Sequence, residues 1–272
     1  MLLCAGLGTR LKPLTDCLPK CLMPVNGRPL LEYWLRLLSG PEIGGILVNL
    51  HHHADLVSQF ISGSPCASHV TTVYEPSLLG TGGTLLANRR FFGSAPVLMA
   101  HGDNLTCFDV DALLRAHARR AEGTDITMMT FVTPTPQSCG IVEVDARGVV
   151  TGFHEKVANP PGDLANAAVY VLEPSVLDFL ASIGKPSIDV STEVLPAYVG
   201  RIFTYHNSAY HRDIGTLESL LHAQFDYPLA AARQRTNDPA DPWLTLLRRD
   251  DGAAERGFLS ALDRCLQQLS LR

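Results

Sequence analysis

No stretch constrains this chain more than its first thirty residues. Met1-Leu2-Leu3-Cys4 is a short apolar run of strand type that breaks at Gly6 and Gly8, with Arg10, Lys12 and Lys20 close behind. A strand that ends in glycines and leads into fixed cations has the makings of an anion site. Glycine lets backbone N–H groups approach a phosphate, and the cations neutralise charge that the amides cannot. Taken alone, a glycine pair beside cations serves equally as an ordinary turn. Only three or four apolar residues precede the loop, few for a strand at a sheet centre, which leaves either a trimmed strand or a natural start upstream of Met1.

Downstream, strand and helix alternate. Residues 29–38 carry helical apolar spacing with Pro29 in the first turn. Residues 46–50 form a continuous apolar run of buried parallel type. A helix over 54–61, a strand over 69–75, a glycine loop over 79–83, a helix over 84–90 and a strand over 96–100 follow. That order predicts an α/β fold with an open, mostly parallel sheet, whose ligand loops stand at the carboxyl ends of the strands. The second half changes style. It predicts a helix over 109–120, a strand over 125–133 and a hairpin pairing 140–144 with 149–155. A strand over 165–172, a helix over 174–180, a second hairpin pairing 201–206 with 209–213 and a helix over 216–225 complete it. Residues 233–242, polar and holding two prolines, read as a linker, and 243–271 as amphipathic helices packed on the domain. The expected organisation is a domain over 1–226 followed by a linker and helical appendage over 227–272.

Composition excludes several classes. With 272 residues, 46% hydrophobic and 18% charged, the chain can bury one large core. A net charge of −5 leaves no basic footprint, so nucleic acid is not an expected partner. The seven cysteines are scattered and none forms a C-x-x-C pair, which points to free thiols in a reducing compartment. Cys17 and Cys21 lack the second ligand pair a structural zinc requires. No apolar run approaches the roughly 20 residues of a membrane span, so the reading is a soluble, cytoplasmic protein without a membrane partner.

The longer opening string is more specific than its glycines. Residues 2–15 (LLCAGLGTRLKPLT), then Pro19-Lys20, then Pro24-Val25-Asn26-Gly27-Arg28-Pro29-Leu30, resemble the signature of the sugar-1-phosphate nucleotidyltransferases. Together with Leu79-Gly80-Thr81-Gly82-Gly83, Asn49-Leu50-His51-His52-His53 and Leu164 to Tyr170, they look most like the branch acting on mannose or D-glycero-D-manno-heptose 1-phosphate with GTP. The resemblance spans roughly residues 1–225 and implies a Rossmann-like, three-layer αβα fold of glycosyltransferase-A type with a mixed, mostly parallel central sheet. It also implies transfer of a nucleotidyl group from a nucleoside triphosphate to a sugar 1-phosphate, with Mg²⁺ as cofactor.

The same resemblance assigns roles. Arg10, Lys20 and Asp103 would be catalytic, and Asp103 and Asp213 would hold the metal. Leu3, Ala5, Gly6, Gly8, Thr9, Arg10, Lys20, Glu75, Gly80 and Thr81 would bind the triphosphate. Asn104, Gly140, Glu155, Lys156 and Asn166 would bind the sugar phosphate, with Ala168 standing where the family usually has glycine. Read without it, Asp103 is a helix cap or turn former, Asp213 a helix cap and Lys156 a surface lysine. His51-His52-His53 is read as structural or sugar-proximal rather than metal-binding, because successive side chains point different ways. Uridylyl- or thymidylyl transfer to glucose, N-acetylmuramate or N-acetylglucosamine 1-phosphate is the alternative reaction. A non-catalytic nucleotide-sugar sensor would lack the lysine of the P-K pair or a metal carboxylate, and both are present here. A dinucleotide oxidoreductase is excluded, since Leu11 and Pro13 interrupt the required glycine-to-helix entry. The sequence leaves open whether the chain forms a homo-oligomer.

Overall fold

The computed structural model describes residues 1–228 and 241–270. In chain order its first elements are β1 (Leu2–Leu3), β2 (Pro24–Val25), β3 (Arg28–Pro29), α1 (Leu30–Leu37), β4 (Ile46–Leu50), α2 (Ala54–Gly63), β5 (Val70–Tyr74), α3 (Gly80–Ala87) and α4 (Arg89–Phe92). There follow β6 (Val97–His101), β7 (Asn104–Cys107), α5 (Val110–Ala118), β8 (Ile126–Val132), β9 (Gly140–Val144), β10 (Val150–Glu155), β11 (Leu164–Leu172) and α6 (Pro174–Ser182). The remainder are β12 (Ile202–His206), β13 (Tyr210–Asp213), α7 (Leu217–Asp226), α8 (Pro242–Leu247) and α9 (Ala253–Ser270). The expected α/β class with a mixed sheet is what is found. Two compact units divide the chain: Met1–Leu3, Ser77–His101 and Phe108–His211 make the first, and Cys4–Pro76, Gly102–Cys107 and Arg212–Arg272 the second.

The first unit is organised on β11, nine residues long and apolar enough to be buried along most of its length. It pairs antiparallel with β6, β8 and β9, while β1 runs parallel to β6, with Leu2 opposite Ala100. The hairpin of β9 and β10 forms where the sequence put it, Gly140 facing Glu155. The register of β11 against β8 slips between Asn166 and Tyr170, and Ala168 within that bulge has φ of 53°. That left-handed conformation explains why a glycine suits the position better than alanine.

Two expectations fail here. The segment 201–206 does not fold back on 209–213: β12 runs parallel to β8, with Ile202 opposite Ile126, and is not bonded to β13. Alternation made both segments look like strands of one hairpin, but a long-range partner outcompetes the local one. Nor is 79–83 a loop, because Gly80 to Gly83 form the first turn of α3. Their glycines let that turn lie on the backbone at 186–188. A Cβ at Gly80 would stand 2.5 Å from the Ile188 carbonyl oxygen, and one at Gly83 would stand 2.2 Å from that of Pro186.

In the second unit β4 pairs parallel with β5, and every residue of β4 is buried, as its unbroken apolar run requires. Helix α1 follows Pro29 and buries Leu30, Leu31, Tyr33, Trp34 and Leu35. A hairpin absent from the sequence reading joins β2 and β3 through Asn26 and Gly27, both at positive φ. Asn-Gly is the residue pair that a two-residue hairpin turn favours. Tyr33 Oη donates to the Val25 carbonyl at 2.8 Å, and the Gln224 carboxamide on α7 bonds both Asn26 N and Pro24 O, which ties the hairpin down. Among the tail helices, Trp243 of α8 packs edge-on against Phe60 of α2, and Gly257 of α9 lies beside Cys17. Most of the expected linker lies outside the described residues.

Candidate active site

The stretch after β1 lacks any apolar period, and it folds as three short 3-10 turns, Thr9–Leu11, Leu14–Asp16 and Lys20–Leu22. Gly8 opens the first of them in the left-handed region, and a Cβ there would meet Thr15 Cγ2 at 2.7 Å. Gly8 is therefore required by the loop itself. Gly6 is exposed, and a Cβ there would meet nothing within 4 Å, so no protein contact demands the glycine. Close approach of an anion to the backbone would demand it. Leu3 ends β1, Ala5 is buried behind the loop, and Thr9 and Arg10 face solvent.

The loop is sewn to β4 and its neighbours by polar side chains. Thr15 Oγ1 donates to the Gly8 carbonyl at 3.0 Å, and a ring nitrogen of His52 meets the Thr15 carbonyl at 2.8 Å. His51 likewise meets the Glu75 carbonyl at 2.7 Å. His51 and His52 thus brace backbone, and among the described residues no group of three His, Cys, Asp or Glu side chains can hold a metal. Asn49, which the sequence reading did not single out as a site residue, accepts from Cys4 N at 2.8 Å and donates to Glu75 Oε1 at 3.2 Å. Its signal was present: it is the one polar residue in the run Ile-Leu-Val-Asn-Leu. Glu75, expected at the nucleotide, is buried on this relay.

Lys20 is the centre of an ion-pair cluster in the second unit. Its side chain is 6% exposed, and Nζ lies 2.9 Å from Asp103 Oδ2 and 2.9 Å from Asp213 Oδ1. Arg10 Nη2 stands 3.2 Å from the other oxygen of Asp213. Four residues picked from distant parts of the chain are thereby brought together. Burial alone would lower the Lys20 ammonium, but the charges of Asp103 and Asp213 outweigh it and raise the group. Burial likewise pulls the Asp213 carboxyl up, and Lys20 and then Arg10 overcome it, holding the group below the ordinary carboxylate value.

One of the two bland alternatives fails and the other stands: Asp213 does not cap a helix, while Asp103 does occupy the turn that leads into β7. Thr216, through its bond from Ser219 N, caps α7, and three of the four oxygens of the two aspartates bond to cations. Asp103 is fixed by its neighbour, because fully buried Trp34 donates Nε1–H to the Asn104 carbonyl at 2.7 Å where β7 begins. Gly215 makes room for the pair on Asp213, since a Cβ would stand 2.6 Å from Arg10 Nη2 and 2.9 Å from Asp213 Oδ1. Two carboxylates are hard oxygen donors, too few to cage a metal alone. They suit a cation such as Mg²⁺, which completes its shell with water and substrate phosphates.

The first unit carries the remaining candidates. Lys156 ends the β9–β10 hairpin at φ of 49°, its N–H bonded to the Cys139 carbonyl, and its exposed Nζ lies 3.0 Å from Glu155 Oε1. Gly140 faces that carboxylate so closely that a Cβ would stand 2.6 Å from Glu155 Oε2. Asn166 is held on both sides: Nδ2 donates to Tyr170 Oη at 2.7 Å, and Oδ1 accepts from Ala168 N at 2.9 Å. Tyr170, buried and also missed from sequence, has its phenol pushed up by burial and stays protonated. Gly80 and Thr81 have internal duties as well, with Thr81 Oγ1 accepting from Val190 N at 2.7 Å.

Comparison with known proteins identifies the family and the fold. The model of the family described as nucleotidyl transferase matches residues 1–228. Among curated relatives, the mannose-1-phosphate guanylyltransferase of Mycobacterium tuberculosis is 31% identical over 231 residues, covering 83% of this chain and 63% of that protein. The glucose-1-phosphate thymidylyltransferase of Streptomyces griseus is 30% identical over 228 residues, covering 81% of this chain and 63% of that protein. The chain thus spans under two thirds of the length of both. A crystal structure of HddC from Yersinia pseudotuberculosis complexed with GMP-PN shares the fold, with a TM-score of 0.68 at 23% identity over 82% of this chain and 96% of that one.

Proposed function

The chain belongs to the nucleotidyl transferase family, and from that premise we propose that it transfers a nucleotidyl group from a nucleoside triphosphate to a sugar 1-phosphate, forming a nucleotide-sugar and pyrophosphate. The observation that carries this reading is the cluster of Arg10, Lys20, Asp103 and Asp213, assembled on the loop that bears the signature. In the proposed step a phosphate oxygen of the sugar 1-phosphate forms a bond to the α-phosphorus while the bond from that phosphorus to the bridging oxygen of the β-phosphate breaks. A phosphate monoester is largely ionised near neutral pH, so no general base is required, and the barrier falls through positioning and charge neutralisation.

Each residue has a part in that scheme. The Gly6–Thr9 backbone and Arg10 receive the triphosphate, and Lys20, kept as an ammonium by its carboxylate partners, neutralises the phosphates and the departing pyrophosphate. Asp103 and Asp213 are the residues that would hold Mg²⁺, which when bound polarises phosphate oxygens and offsets their charge. Lys156 holds the attacking phosphate, Glu155 a sugar hydroxyl, and Asn166, fixed by Tyr170, lines the sugar. The proposal places transfer within residues 1–226 with the tail as an appendage, and a reducing, cytoplasmic setting, which seven cysteines without a disulfide support.

GTP with mannose or manno-heptose 1-phosphate is the proposed pair, supported by the motifs at 49–53, 79–83 and 164–170 and by the guanylyltransferase relative. The thymidylyltransferase relative keeps the pyrimidine reading as the alternative. Screening GTP, UTP, dTTP, CTP and ATP against mannose, manno-heptose, glucose and N-acetyl sugar 1-phosphates for pyrophosphate release separates them. Activity confined to UTP or dTTP overturns the guanylyl assignment.

A further inference from the structure

We propose that Lys20 and Arg10 hold the metal's place in the substrate-free protein, so that the divalent ion enters together with the triphosphate rather than ahead of it. This rests on the reading that Asp103 and Asp213 are the metal ligands. Of the four oxygens on those two carboxylates, three already bond to a cation: Asp103 Oδ2 and Asp213 Oδ1 to Lys20, and Asp213 Oδ2 to Arg10. A metal ion held by both residues would have to compete with Lys20 and Arg10 for these oxygens, two of which lie 2.9 Å from the ammonium.

Charge makes the exchange lopsided. Two carboxylates and two cations sum to zero. The nearby Cys4 thiol adds no charge, because its hydrogen bond to Cys21 and its burial hold it protonated. A bare dication entering this cluster leaves two positive charges uncompensated beside a lysine that is almost wholly buried. A triphosphate brings more negative charge than the metal brings positive, and it offers Lys20 and Arg10 new oxygens as they leave the aspartates. The two ligands therefore favour each other's binding, and that coupling is reciprocal. Gly215 fits the same account, since its missing side chain is what gives Arg10 a resting place on Asp213.

Mn²⁺ binding to the full chain without nucleotide, followed by the electron paramagnetic resonance signal of the free ion, tests this directly. Lys20→Met removes the bridging charge and should bind Mn²⁺ at least about tenfold tighter than the wild type, a gain of about 1.4 kcal/mol. Adding Asp213→Asn should abolish the gain and so locate the ion. Arg10→Met, which removes a mostly exposed guanidinium, should give a smaller gain of about threefold, and it carries the test if circular dichroism shows that Lys20→Met does not fold. Equal or weaker Mn²⁺ binding by the variant, including no binding by either protein, overturns the inference. Pyrophosphate release by the wild type is a separate readout. If it occurs while Lys20→Met gains no affinity, the inference falls and the reaction stands.

Discussion

In the second unit, Lys20 is buried and bridges carboxylates 83 and 193 positions away, whereas in the first unit Lys156 is exposed and pairs with its own neighbour, Glu155. Both lysines are assigned to phosphate, yet the fold treats them differently. The charge of Lys20 is part of the structure, since without it Asp103 and Asp213 lose their shared counter-ion. The charge of Lys156 rests on a hairpin end that holds its shape through Gly140 facing Glu155 and through the backbone bond to Cys139. Lys20 is held in place by long-range ion pairs, while Lys156 is an exposed side chain on a local scaffold, paired only with its neighbour.

The largest expected effect separates the two lysines. Lys20→Met should cut pyrophosphate release by about 10³-fold. It should also cost roughly 1–3 kcal/mol of stability, the lower end applying because the aspartates are partly exposed to solvent. Lys156→Met should raise KM for the sugar 1-phosphate by about tenfold or more, with a melting temperature within about 1 °C of wild type, as for loss of an exposed pair. Steady-state kinetics with thermal melts on both variants would break the comparison if the two lost stability equally.

A smaller effect concerns pH. Burial, with the charge of His52 adding, holds the His53 ring below the ordinary 6.5, and its Nε2 is buried without a partner. The folded state resists protonation more than the unfolded chain does. The stabilisation is therefore complete above 6.5 and is lost as pH falls through the lowered value. His53→Asn keeps a residue that tolerates the left-handed φ of 50° at this position. It should shrink the drop in melting temperature between pH 7.5 and 5.5; an unchanged drop would remove His53 from the account. The pairs at Lys20 behave otherwise. With Asp213 lowered and Lys20 raised, their contribution persists from the carboxylate's 3.8 to the ammonium's 10.5. It fades only as pH falls through the lowered value of Asp213 or rises through the raised value of Lys20. The smallest effect is Ala168→Gly. Relieving a left-handed alanine should stabilise the first unit by up to about 1 kcal/mol in chemical denaturation, and a loss of stability would show that the bulge needs its methyl group.

Periodicity made most of the sheet legible. Residues 46–50, 97–101 and the 140–155 hairpin are strands because unbroken or alternating apolar runs have one place to go. The loop from Thr9 to Leu22 was not legible, since its three turns are held by Thr15, His52 and the carboxylates at 103 and 213 rather than by any local pattern. The β2–β3 hairpin left a signal in Asn26-Gly27, hidden because its strands are two residues long and contain prolines. At the site, chemistry alone made Gly8 and Lys20 suspects, whereas the meeting of Asp103 with Asp213 was implied only by the family resemblance. Tyr170 and Gly215 act by what they touch or leave room for, which a sequence does not display.

In the proposed reaction a sugar 1-phosphate attacks the α-phosphorus of the triphosphate at the cluster around Lys20. Incubation with mannose 1-phosphate, Mg²⁺ and GTP labelled at either the α- or the γ-phosphate, with chromatography of the products, tests it most directly. The α-label should appear in the nucleotide-sugar and the γ-label in pyrophosphate, both depending on the sugar phosphate. Release of the γ-label as orthophosphate, or its transfer to the sugar, would contradict the account.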